Sequence, residues 1–187
     1  SEKRFIKSGG VIKKLKVKEL FKIEGNKQLN KDSFTFSSTA EYPYFTRTEY
    51  NNGILGFVDY LDEEHKVSGN SLAIGMIAMK FFYMKHDFYA GQFTKTAFPL
   101  FEGFNERVAL WFATWFNKSS EIYKNLLVRH FEQTFYDTII CVPFINGKVA
   151  TDFIEERMRE LEEERMRELE AWLRAAGFED YNLTEGE

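Results

Sequence analysis

The chain reads as an α+β protein, with a mixed, strand-rich body followed by one long C-terminal α-helix expected to pair as a coiled coil. Three observations predict this. Between Phe34 and Leu100, short aromatic or β-branched runs alternate with turn residues, as strands do. Beyond Gly147 the sequence turns to Glu and Arg, with apolar residues at helical spacing. Within that second stretch the unit Glu156–Glu163 recurs as Glu164–Ala171, altered only at its last position.

A length of 187 residues allows one well-cored domain and an appendage. The boundary is drawn at a body of 1–149 and a helix and tail of 150–187. The 20 Phe imply a core built from rings, or rings left over for stacking on a ligand. Cys141 is the only cysteine, which excludes an intramolecular disulfide and a Cys-based zinc site. Its neighbours Ile139, Ile140 and Val142 predict a thiol buried in a strand, consistent with a reducing compartment. The most apolar stretch, Leu72–Met84, is short and interrupted by Lys80, so no membrane span is expected. No apolar signal core follows Ser1–Arg4, and a soluble, cytoplasmic protein is the expectation.

The net charge of −4 averages unlike parts. Residues 152–187 hold 13 acids and 5 bases, whereas the first 31 hold 10 Lys or Arg against 3 Glu. A mildly basic body with an acidic tail leaves nucleic acid open as a partner.

In order along the chain, residues 1–10 read as a mobile leader ending in Gly9-Gly10. Val11–Ile23 mixes periods and predicts a strand running into a short helical turn. Strands are expected at Tyr42–Thr46, Ile54–Tyr60, Ser71–Ile77, Lys80–Tyr83 and Phe93–Leu100. Pro43 marks its strand as an edge, and Asn51-Asn52-Gly53 marks a turn, because Asn and Gly accept positive φ. Asn105 is the expected N-cap of a helix through Phe116, with Val108, Trp111, Phe112 and Trp115 on one face. A second helix or turn starts at Ser119 or Ser120 and runs to His130. Phe135–Phe144 reads as a strand ended by Pro143 and the Asn146-Gly147 turn. Asp152 and Glu155 form an expected capping pair for a helix reaching Ala176, stopped by Gly177. At helical rise that element spans about 37 Å.

Along this helix Phe153, Ile154, Met158, Leu161, Met166, Leu169, Trp172 and Leu173 form a narrow apolar stripe with one skip. It fits a solvated helix laced by Glu–Arg pairs, or a helix whose seam meets a partner helix. The second is preferred, since the helix is too long to rest wholly on so small a body and its seam would otherwise stay wet.

No phosphate-binding glycine loop and no serine elbow occur, and His65, His86 and His130 lack ligand spacing. Asp59 or Asp62 with Glu64 and Lys66 can be set against a Mg²⁺ nuclease pattern, but the stretch reads as a charged loop tip and metal work needs converging carboxylates. No catalytic residue and no metal ligand is therefore assigned. Groups suited to DNA are more plentiful. Thr46, Arg47, Thr48, Tyr50, Asn51 and Asn52 combine guanidinium, amide and hydroxyl groups on an exposed strand end and turn. Arg pairs with guanine, Asn with adenine, and Thr or Lys holds phosphate. Lys80 and Lys95 are candidate phosphate contacts. A plain polar β-turn and solubilising lysines would look alike in sequence.

Several segments together resemble the target-recognition domains of restriction–modification specificity subunits. Lys18-Glu19-Leu20-Phe21-Lys22-Ile23-Glu24-Gly25 is similar to the opening element of that family. Tyr42-Pro43-Tyr44-Phe45-Thr46-Arg47-Thr48 followed by Asn51-Asn52-Gly53 is similar to its next segment. Gly69–Gly75, Phe81–Tyr83 with Phe88–Gly91, and Val142-Pro143-Phe144 leading into a long helix continue the match, from about residue 15 to 176. The likeness is closest to type I systems and related type II enzymes.

The resemblance implies a non-catalytic subunit without a cofactor of its own, bound to one half of a bipartite double-stranded DNA site. A separate methyltransferase subunit would carry S-adenosylmethionine, flip the target adenine and methylate it, with restriction subunits as possible further partners. Helices of such subunits pair antiparallel and set the distance between half-sites. Full-length members hold two recognition domains and this sequence one. The expectation is a homodimer through the C-terminal helix, or a fragment of a longer subunit. A protein-interaction scaffold without DNA is the alternative.

Overall fold

The structure, a computed structural model, describes residues 2–124 and 128–178. The acidic tail beyond 178 and the middle of the helix expected to reach His130 lie outside them. In chain order the elements are α1 (Glu2–Lys7), β1 (Val11–Lys16), β2 (Phe21–Gly25), β3 (Tyr42–Phe45), β4 (Ile54–Val58), β5 (Ser71–Gly75), β6 (Lys80–Met84) and β7 (Tyr89–Ala90). There follow β8 (Thr94–Pro99), α2 (Glu106–Lys118), α3 (Glu121–Lys124), α4 (Val128–Asp137), β9 (Ile139–Ile145), β10 (Lys148–Val149) and α5 (Thr151–Ala175).

The centre is a four-stranded antiparallel sheet in the order β2-β8-β5-β6. Strand alternation divides its side chains between two faces. Phe21, Ile23, Ala97, Leu72, Ile74 and Phe81 point to one core, built with Val108, Phe112 and Phe116 of α2 and Phe131 and Phe135 of α4. The Phe81 ring lies 5.1 Å from Phe116 and 5.7 Å from Phe135. Each buried ring contributes about 1.5–3 kcal/mol of transfer free energy, and ten of the 20 Phe are buried. The outer edge of β6 is closed by a side chain, because the Asn117 amide donates to Phe81 O and accepts from Phe81 N, both at 2.9 Å. That blunts a strand edge otherwise open to pairing.

The opposite face carries Ala73 and Met84, packed with Phe45, Val67, Phe88 and Ala90. Phe45 and Ala90 come from a three-stranded sheet in the order β4-β3-β7. A third sheet, β1-β9-β10, ends in a tight hairpin in which Asn146 (φ 51°) and Gly147 (φ 77°) supply the left-handed turn. Ala150 N–H then donates to Pro143 O at 2.9 Å and the chain enters α5 directly.

The α5 helix docks by its first turns only. Ile154 is buried, Met158 packs against the main core, and Phe153 stacks on Phe5 with ring centroids 4.0 Å apart. Arg107 of α2 pairs with Glu162 at 3.0 Å and Glu155 at 3.9 Å. The Glu162 hydrogen bond first, and its charge second, raise the Arg107 pKa above its ordinary value. Farther along, Leu161, Met166, Leu169 and Trp172 are exposed. The helix stops where Gly177 turns left-handed (φ 84°), with Phe178 N–H donating to Leu173 O and Gly177 N–H to Arg174 O.

The α+β architecture, the main strands, the Asn105 cap and the Gly177 stop agree with the sequence reading. Six readings are corrected. Residues 2–7 are a helix anchored by buried Phe5, in place of a mobile leader. Pro43 lies in the central strand of its sheet, where it is tolerated because β7 pairs only with Tyr44 and Phe45. Phe135–Asp137 close α4, and the strand begins at Ile139. Pro143 does not end β9, which runs on to Ile145. Ala150 is the N-cap of α5 and makes no side-chain cap bond, while Glu155 is turned toward Asn105. Cys141 is exposed, since Ile140 and Val142 take the inward positions of β9.

Candidate nucleic-acid interface

Three segments meet at one end of the central sheet: the loop 46–53, the β5–β6 connection 76–79, and the approach to β8 at 91–93. Phe45 O accepts from Gly91 N–H at 2.8 Å, which ties the first to the third. Met76 N–H donates to Phe93 O at 2.9 Å, which ties the second to the third.

The loop is closed at its neck, where Thr46 N–H and Oγ1 both donate to Gly53 O, at 2.7 and 3.2 Å. At its far end Asn51 (φ 48°), Asn52 (φ 52°) and Gly53 (φ 78°) are three consecutive left-handed residues. Asn adopts that region more readily than other non-glycine residues. Gly53 is required twice over, by its φ and because a Cβ there would lie 2.2 Å from the Phe45 ring. Asn51 Nδ2 donates to Ile54 O at 3.0 Å, and Thr48 Oγ1 accepts from Tyr50 N–H at 3.2 Å. The loop thus holds its own shape while Tyr50, 77% exposed, and the Asn52 side chain stand outward.

Arg47 sits where the loop crosses the sheet. A Cβ on Gly75 would come within 3.2 Å of Arg47 Cα, so a larger residue there would press on the Arg47 backbone. The guanidinium lies over the Phe93 ring, 5.2 Å from its centroid, within cation–π range. Lys80 pairs across from Gly75 and so shares this face and end of the sheet.

The sequence-predicted residues Thr46, Arg47, Thr48, Tyr50, Asn51 and Asn52 are therefore contiguous, with Lys80 beside them. Lys95 points to the opposite face, where its Nζ meets Glu132 of α4 at 2.6 Å. Phe93 and Ile77, both exposed here, were missed. No sequence signal marks them, because each is one ring or branch among many aromatic and β-branched residues.

The acidic stretch 59–66 is a built loop of another kind. Asp62 accepts from His65 N–H at 2.7 Å and faces the ring Nδ1 at 2.9 Å. The backbone bond foremost holds its carboxyl below the usual range. Glu63 pairs with Lys66 and Glu64 with Lys27. Asp59, Glu64 and Lys66 form no metal site, and no group of three His, Cys, Asp or Glu suited to a metal exists among the described residues. A groove of about 1380 Å³ lined by Arg4, Phe5, Lys13, Leu20, Phe144 and Phe153 lies apart from the loops. No helix among the described residues is long and apolar enough to cross a membrane.

The α+β body presents a shaped polar loop and passes into a long charged helix. The chain belongs to the type I restriction modification DNA specificity domain family, matched over residues 12–170. No curated protein matches the sequence. Among solved structures it is similar to the S subunit of a type I restriction–modification system from M. genitalium, with 15% identity, a TM-score of 0.55, and coverage of 88% of this chain and 42% of that one. It is similar to the HsdS subunit from Thermoanaerobacter tengcongensis, with 8% identity, a TM-score of 0.58, and coverage of 88% and 39%. A chain from a structure of type I R-M system assembly and conformational transition gives 11% identity, a TM-score of 0.59, and coverage of 88% and 40%. At these identities the likeness is one of fold. The chain spans about two fifths of the length of those chains.

Proposed function

We propose that this domain reads one half of a bipartite double-stranded DNA site and directs a partner adenine methyltransferase, with a restriction subunit, to that site. The observation that carries the reading is the loop 46–53, which holds Arg47, Tyr50 and Asn52 outward from a rigid sheet end. Arg47 suits a guanine edge and Asn52 an adenine edge in the major groove. Thr48 and Lys80 suit phosphates, which position the domain without specifying sequence, while the Thr46 hydroxyl is spent on closing the loop neck. The chemistry, and S-adenosylmethionine, would belong to the methyltransferase subunit; this chain reads and docks.

The exposed stripe Leu161, Met166, Leu169 and Trp172 supports pairing of α5 with a second copy. Two-fold pairing would place two recognition loops on two half-sites.

The test is selection from a random duplex pool by the chain assembled with its methyltransferase. A two-part consensus is expected, with binding that falls steeply as salt rises. Arg47→Ala and Asn52→Ala should each relax one base position. Failure of the assembled complex to select any duplex would leave the protein-interaction scaffold as the reading.

A further inference from the structure

We infer that Phe93 is a specificity-determining positioning residue, whose ring holds the Arg47 guanidinium flat so that its hydrogen-bonding edge meets a guanine. The inference rests on the DNA reading above and deepens it.

The ring is placed against its own backbone preference. Phe93 has φ 58°, a region in which a bulky residue is strained. Such a conformation persists only where the surroundings over-determine it, and here they do. Phe93 N–H donates to Gln28 Oε1 at 3.1 Å and its carbonyl accepts from Met76 N–H at 2.9 Å. The residues on either side are tied to the same stretch of chain, with Gln92 Nε2 donating to Asn30 Oδ1 at 3.0 Å and Asn26 Nδ2 to Thr94 Oγ1 at 2.9 Å. Thr94 Oγ1 in turn donates to Gly91 O at 2.8 Å.

What this scaffolding delivers is a ring 43% exposed, in a protein that buries half of its Phe. The ring's partner is Arg47, whose backbone is pressed onto Gly75 and whose guanidinium has no ion pair among the described residues. A free arginine must give up many rotamers to meet a base edge. Resting the guanidinium over the Phe93 ring reduces that loss beforehand, and leaves the planar N–H fork available for O6 and N7. A lysine cannot stand in, having no plane to stack.

Two measurements test this. In the free protein, NMR should show the Arg47 side-chain protons moved upfield by the Phe93 ring, and the displacement lost in Phe93→Leu. In duplex selection by the assembled complex, Arg47→Ala should lower the preference for guanine at one position about tenfold. Phe93→Leu should lower it about threefold at that same position, with total pool affinity and its salt dependence unchanged. Phe93→Trp, which keeps the stacking face, should restore it. Phe93→Leu that leaves this position untouched, or weakens all sequences equally, overturns the inference. A wild-type complex without any preference overturns the DNA reading itself, and that result is visible before any variant is made.

Discussion

Asn105 and Glu155 join the start of α2 to the first turns of α5 through one amide. Asn105 Oδ1 accepts from Val108 N–H at 3.2 Å and caps α2, while its Nδ2 donates to Glu155 Oε2 at 2.9 Å. Removing the side chain breaks the cap and the link together. Asn105→Ala should cost about 1–2 kcal/mol in denaturant unfolding. Glu155→Ala, which loses only a partly exposed hydrogen bond and a distant ion pair, should cost well under about 1 kcal/mol. Equal losses would place the stabilisation in the link and not in the cap.

The exposed half of the α5 stripe predicts a concentration-dependent dimer. Light scattering of the full chain should give twice the monomer mass, and Leu169→Asp combined with Trp172→Ala should halve it. Because both side chains are exposed, the melting of the body should not move. A wild-type monomer would mean that the stripe serves another protein.

Deleting residues 156–163 tests the repeat as a spacer. The following copy supplies the same side chains, so Met166 takes the place of Met158 and Glu170 that of Glu162, and docking on the body is retained. The helix shortens by about 12 Å, and its remaining surface turns by about 80°. Half-site preference should stay the same while the recognised spacer changes by about 3.5 base pairs. An unchanged spacer would rule the repeat out as a ruler.

Asp137, at the end of α4, carries the pH dependence that is easiest to isolate. Gln133 donates to it at 2.6 Å and Lys16 at 2.9 Å, and these bonds, Gln133 foremost, hold its carboxyl below the usual range. A folded-state pKa below the unfolded one stabilises the fold above about pH 4. That contribution fades as pH falls through the lowered value. Asp137→Asn should therefore melt closer to wild type at about pH 2 than at about pH 5. A constant difference across that range would show that the two bonds do not distinguish the charged form.

Much of the architecture was legible because local and tertiary preferences agree. Ser71–Gly75 and Thr94–Pro99 are strands by composition and by packing, and Asn51-Asn52-Gly53 is a turn because those residues accept the φ it needs. The failures fall where distant contacts decide. Helix α1 is six residues long, too short to persist alone, and is fixed by Phe5 stacking on Phe153 far along the chain. Phe135 and Tyr136 suit strand or helix equally, and packing of Phe135 against Phe81 and Phe116 settles on helix. Cys141 looks buried because apolar residues flank it, yet in a strand with one covered face they claim the inward positions. The site was legible as a polar loop. The pairing of Arg47 with Phe93 was not, since it depends on a left-handed aromatic that no local pattern encodes.

The anchoring of α5 at one end makes it a lever. From Glu162 to Ala175 the helix extends about 20 Å beyond its last anchor. A tilt of about 10° at the base carries its tip about 3–4 Å, comparable to the rise of one base pair at about 3.4 Å. The stiffness of Phe5, Asn105 and Arg107 against the first turns thus sets an angular tolerance. Loosening them would blur any length the helix measures, without changing a residue of the helix itself.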